Sequence, residues 1–216
     1  MYIPKQFEET RQEVLHGLMK AHPLATLVVA GESGLVVNHI PLQVCGSEGE
    51  FGILRGHMAR ANPMWRQLAG AAEAVAIFQG PDSYITPSWY PSKHVDGKAV
   101  PTWNYAVVHA HGRPRVVEDA AWLLNHLTAM TDEQENGEAL PWKVADAPRD
   151  FIEQMMSAIV GIEISIVRLE GKWKVSQNRP AQDREGVVAA LHERGDDRSL
   201  AMAELVVQYG SASAKR

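Results

Sequence analysis

The segment LRGHMARANP, residues 54–63, gathers two guanidinium groups, an imidazole and a helix start within ten positions. If it begins as a strand, Arg55 and His57 point to one face and Gly56 to the other, where a ligand or a neighbouring backbone can come close. Arg60 follows just before a stretch that reads as a helix, whose first N–H groups lack intrahelical partners. Such a set suits a phosphate. The competing reading is a solvated rim with surface ion pairs to Glu50 or Glu73. A second cluster, QGPDSYITPSWYPSKHVDGKAVPTWNY over residues 79–105, carries Tyr84, Trp89, Tyr90, Trp103 and Tyr105 among four prolines. Prolines stiffen a connection, and this one is too aromatic for a disordered linker. It reads as a wall for something flat, with Ser88, Lys93 and Asn104 placed to bond a polar edge. The alternative is that the rings plug a barrel end or a subunit interface. The third cluster is GKWKVSQNR, residues 171–179. Read as a strand, it puts Lys172, Lys174, Ser176 and Asn178 on one face and Trp173, Val175 and Gln177 on the other. That polar face either lines a site, with Lys174, Ser176 and Gln177 as candidates, or protects an exposed edge.

Other chemistries find less support. His109 and His111 stand two apart, but no third ligand is identifiable, so no metal site is expected. There is no G-x-S-x-G elbow, no P-loop and no G-x-G-x-x-G, and no catalytic residue is assigned. The chain has 216 residues, 45% of them hydrophobic, and a net charge of −5. An acidic balance argues against a large nucleic-acid footprint. One cysteine, Cys45, excludes an intramolecular disulfide and suits a reducing compartment. With neither an apolar leader nor a run of about 20 apolar residues, a soluble cytoplasmic protein without a membrane partner is expected.

The elements that must hold these groups follow from periodicity. A helix is expected over 7–20, strands over 24–30 and 35–40 joined by a turn at 31–34, a strand over 51–57, a helix over 61–68 and a strand over 74–78. A strand over 103–112 can continue to Val117. Asp119 caps a helix reaching about Thr131, and a further helix covers 148–158. Val160, Ile162, Ile164 and Ile166 alternate as a half-buried strand, and Gly171 turns it into a strand over 172–178. Two helices, 183–193 and 198–209, close the chain. That outline resembles a helix-turn-helix, yet the second helix is nearly uncharged, so a packed helical hairpin is the better reading. Six or seven short strands without regular βαβ units give a mainly β, α+β fold: an antiparallel β-barrel with peripheral helices.

The blocks MYIPKQF, PLATLV, NHIPL, GHMARANPMW, IFQGPDSYITPSWYPSK, VPTWNY, GIEI and GKWKVSQN, in this order, resemble the PaiB family of FMN-binding negative transcriptional regulators. The resemblance runs from Met1 to about Asp183. It implies the FMN-binding split-barrel fold shared with pyridoxamine-phosphate oxidases and flavin reductases, FMN as cofactor, and a homodimer with sites at the subunit interface. It places Arg60 against the FMN phosphate with Arg55 and His57 nearby, Trp103, Asn104 and Tyr105 by the isoalloxazine or the dimer wall, and Lys174, Ser176 and Gln177 on the late strand. Residues 1–180 would form the split-barrel domain and 181–216 a helical extension packed on the barrel or on the dimer partner. The implied function is a flavin-responsive regulator with DNA as a possible partner. The alternatives are an FMN-dependent oxidoreductase, of flavin-reductase or pyridoxamine-phosphate-oxidase type, and a non-catalytic flavin binder.

Overall fold

The computed structural model describes residues 1–31 and 34–212. Glu32 and Ser33 of the expected turn, and residues 213–216 of the expected extension, lie outside the described residues. The strands are β1 (Glu8–Glu9), β2 (Leu24–Gly31), β3 (Gly34–Pro41), β4 (Gln43–Cys45), β5 (Ile53–Ala59), β6 (Ala74–Ile85), β7 (Thr102–Val117) and β8 (Ile159–Lys174). The helices are α1 (Gln12–Ala21), α2 (Met64–Gly70), α3 (Lys93–Asp96), α4 (Ala120–Gln134), α5 (Arg149–Ser157), α6 (Ala181–Arg194) and α7 (Asp197–Ala212). The sheet order is β3-β2-β6-β7-β8-β5-β4, with β1 on β8, and the pairings β1–β8, β2–β3, β2–β6, β4–β5 and β5–β8 are antiparallel.

The chain divides into two compact units. One comprises residues 1–18, 79–108 and 170 onward; the other comprises 19–78 and 109–169. In the second unit, β2 alternates as its sequence suggests: Ala25, Leu27 and Val29 are buried. Its opposite face carries Leu24, Thr26, Val28 and Ala30. The registers set beside these Pro41, His39, Val37 and Leu35 of β3, and Ile77 and Val75 of β6. This outer face is largely apolar yet open, with Leu24 63%, Leu35 74% and Val37 50% exposed. On the other side of the unit, β5 pairs with β8 from Ile53↔Ser165 to Ala59↔Ile159. Asp119 starts α4 as expected, its carboxylate accepting from the Trp122 N–H at 2.7 Å.

Four expectations fail in the first unit. The helix expected from residue 7 starts at Gln12, because Glu8 and Glu9 pair with Lys172 and Gly171 instead. Gly171 is also no turn, since β8 runs through it to Lys174. Its missing side chain serves another end: a Cβ there would lie 2.2 Å from Leu15 Cδ2 and 2.7 Å from the Glu9 carbonyl oxygen. Glycine is needed where β1 crosses, not where the chain reverses. The strand expected over 172–178 therefore stops at Lys174, and Ser176 adopts φ 64°, so the shared polar face ends there. Likewise residues 79–85 extend β6 rather than open a loop.

Candidate functional site

In the second unit, β5 places Arg55 and His57 on one face as alternation requires. Gly56 opposes them with no space to spare, since a Cβ would meet Leu42 Cδ2 at 2.7 Å and the Pro41 carbonyl at 2.9 Å. Arg55 donates to Glu163 at 3.1 Å and to Glu48 at 2.7 Å. Burial pushes the Glu163 carboxyl up, but hydrogen bonds from Arg115 and Arg55 more than offset this and hold it below the ordinary range. Arg60 binds the Glu118 carboxylate at 2.5 Å and the carbonyls of Ser157 and Ile159 at 3.1 and 3.2 Å. The first N–H of α2, on Met64, goes to Asn62 Oδ1 at 3.0 Å. The donors read as a phosphate set are thus each engaged inside the unit. His57 Nδ1 lies 3.3 Å from His126 Nε2, and Trp122 stacks on His126 at 5.2 Å. Burial lowers the pKa of both imidazoles, that of His126 to about 4, helped by His57 and Arg55 nearby. His111 meets Glu73 at 2.8 Å and Arg168 at 2.9 Å.

In the first unit, the start of β7 and the end of β8 bring several expected residues together. Asn104, 1% exposed, donates to Ser176 Oγ at 2.9 Å. Lys174 Nζ donates to Thr102 Oγ1 and to the Trp103 carbonyl. Lys172, buried, donates to the Tyr2 carbonyl at 3.1 Å and sits 5.3 Å from the Tyr105 ring centre. The Arg179 guanidinium lies 4.7 Å over the Tyr90 ring. A polar recess of about 100 Å³ is lined by Val100, Pro101, Thr102, Asn104, Lys174, Ser176, Asn178 and Arg179. Beside it Trp103 is 55% exposed, its ring edge-on to Tyr84 at 5.8 Å.

The remaining expected residues do local work. Gln177 closes its own turn, accepting from Val175 N and donating to the Trp173 carbonyl. Ser88 is exposed and bonded to Thr86, which caps the 3₁₀ turn Pro87–Trp89. Lys93 is exposed on α3. Sequence reasoning did not name Thr102 and Arg179 as candidates. Both lie inside the segments singled out, 79–105 and 171–179, and that membership was the available signal.

Residues 1–168 match the protein family described as "Putative FMN-binding domain". The chain belongs to this PaiB-like FMN-binding family. Among its relatives, "Protease synthase and sporulation protein PAI 2" of Bacillus subtilis is 31% identical over 95% of this chain and 96% of its own. "Uncharacterized protein AN0679" of Emericella nidulans is 32% identical over the whole of both chains. Two solved structures share the fold: the flavocytochrome Anf3 from Azotobacter vinelandii (TM-score 0.58, 16% identity, 80% of this chain and 72% of that one), and the FAD and heme binding protein from Mycobacterium smegmatis (TM-score 0.57, 21% identity, 77% and 73%). The fold is the flavin-binding split barrel, and FMN is the family's cofactor. The first unit's donor set fits such a group: its recess cations have hydroxyl, amide, ring and carbonyl neighbours but no carboxylate partner among the described residues, and an exposed indole stands beside them.

Proposed function

We propose that this protein binds FMN as a homodimer and acts as a flavin-responsive regulator of the PaiB type. The observation that carries the reading is the family match over residues 1–168. When bound, FMN supplies redox chemistry, while the protein supplies binding, orientation and electrostatics. In this reading Lys174, Asn104, Ser176 and Arg179 hold the anionic end, and Trp103 and Tyr105 offer flat surface. Arg55, His57 and Arg60 support the second unit through their internal partners. The open apolar face of β2, β3 and β6 supports the homodimer, because exposed contiguous apolar surface commonly marks an interface. The hairpin of α6 and α7 is the C-terminal extension, docked within its own unit by Asp183, which accepts from Ser92 Oγ at 2.7 Å, and by Tyr209, which donates to Glu9.

One observation favours an FMN-dependent oxidoreductase as a second reading. The arginines of the hairpin are spent inside the first unit: Arg184 on the Arg179 carbonyl, Arg194 over the Trp89 ring at 4.5 Å and Arg198 on Asp82 at 3.0 Å. That leaves the hairpin poorly equipped to meet DNA phosphates. Two assays separate the readings. Salt-sensitive retardation of promoter DNA by the FMN-loaded protein supports the regulator. Steady NADPH consumption with FMN and no DNA retardation supports the enzyme. No helix among the described residues is long and apolar enough to cross a membrane.

A further inference from the structure

Several arginines of this chain are matched by acids: Arg11 by Glu9, Arg55 by Glu163, Arg60 by Glu118 and Arg198 by Asp82. Lys172, Lys174 and Arg179 differ. Their contacts are carbonyl oxygens, a hydroxyl and aromatic rings, with no carboxylate among the described residues. Yet Lys172 is only 9% exposed, and Lys172 and Arg179 both stand close enough to act on Lys174. Burial first, then the charges of Lys172 and Arg179, push the Lys174 ammonium below its ordinary pKa. Holding a buried lysine and two half-buried cations together with no acid beside them, in a chain of net charge −5, is unfavourable unless an anion joins them.

The recess that Lys174 and Arg179 share is built to receive one. Lys174 spends two of its three N–H groups on Thr102 and the Trp103 carbonyl, which fix the ammonium and leave one proton. Asn104 and Ser176, both buried, bond to each other at its wall, leaving a second amide N–H on Asn104. Ser176 holds a left-handed backbone (φ 64°), a conformation costly for a non-glycine residue and met at ligand clamps. At about 100 Å³ the recess is well below the roughly 300–1,000 Å³ of whole-ligand pockets, so it takes a group rather than a molecule.

We infer that the recess of Lys174, Arg179, Thr102, Asn104 and Ser176, with Lys172 beside it, binds a phosphate-sized oxyanion carried by a small phosphomonoester. The inference rests on the FMN reading only for which molecule carries the group: the anion is either the phosphate of FMN or that of a separate small molecule. The test is calorimetric titration of the flavin-free full chain with inorganic phosphate against a chloride control. Saturable binding is expected, weakened about tenfold or more in Lys174→Met and in Arg179→Gln. Arg179→Gln guards against a folding defect, because among the described residues its guanidinium has no ion-pair partner and rests on the Tyr90 ring at the edge of the recess.

FMN and riboflavin then identify the carrier. If the group belongs to FMN, phosphate competes with FMN, and FMN outbinds riboflavin by a margin that collapses in Arg179→Gln. If it belongs to another molecule, phosphate and FMN bind together, and the variant weakens phosphate alone. Either result supports the site. A protein that binds phosphate but not FMN keeps the site and loses the cofactor reading. No phosphate binding up to about 20 mM, or equal affinity in wild type and both folded variants, overturns the inference.

Discussion

His126→Phe should make the protein more resistant to acid while changing little at neutral pH. His126 is 4% exposed, its Nδ1 has no hydrogen-bond partner, and its Nε2 faces His57 at 3.3 Å. A proton on this ring would be buried under Trp122, facing His57 with Arg55 nearby, which is why its pKa falls from 6.5 to about 4. The sign follows. Above about pH 6.5 the ring is neutral in folded and unfolded chains and contributes nothing. Between pH 6.5 and 4 the unfolded chain takes up a proton that the folded chain refuses, so stability drops as pH falls. The shift of 2.5 units corresponds to about 3 kcal/mol once complete, and to about 2 kcal/mol between pH 7 and pH 5. Phenylalanine keeps the stacking on Trp122 and removes the proton site. At pH 7 the lost bond to His57 and the removed unsatisfied nitrogen offset each other to within about 1 kcal/mol. Urea unfolding followed by tryptophan fluorescence at pH 7 and pH 5 measures both differences. Parallel losses in wild type and variant would refute the reasoning.

Glu9→Gln should destabilise by up to about 3 kcal/mol at neutral pH, less by what solvent screening removes at the half-exposed Arg11. Burial alone would raise the Glu9 carboxyl, but Arg11 and Tyr209 bring it down from 4.5 to about 2. The penalty is therefore full above about pH 4.5 and fades as pH falls toward 2, which thermal unfolding at several pH values reads out. Gly186→Ala builds a Cβ 2.1 Å from the Trp89 carbonyl oxygen, so α6 must shift off the 3₁₀ turn. A loss of about 1–3 kcal/mol and faster proteolysis near residues 181–212 are expected; an unchanged midpoint would count against that packing. Val37→Asp, on the open face of β3, should convert a dimer to monomer by light scattering with the fold retained by circular dichroism. An unaltered mass would remove this face as the interface.

Local signals carried much of the architecture. The alternating LATLVVA and VGIEISI runs became β2 and the start of β8, and Asp119 announced α4. The failures share a cause. Gly171 reads as a turn unless Glu9 and Leu15, more than 150 residues away in the chain, are known to press against it. Within the site, Asn104 and Ser176 were visible as candidates, but their bond spans 72 positions and no pattern in either segment encodes it. Arg55 and Arg60 looked available because nothing local showed Glu163 and Glu118 meeting them across the fold. Residue types announce what chemistry is possible; long-range pairing decides which charges remain for a ligand.

The central claim is that this chain holds FMN. It is tested most directly by titrating purified, flavin-free protein into FMN while following flavin fluorescence and the visible absorption band. The account predicts saturable quenching with a shifted band, one FMN per chain, and a Kd in the micromolar range or tighter. A flavin spectrum and fluorescence left unaltered at protein concentrations approaching 1 mM would contradict it.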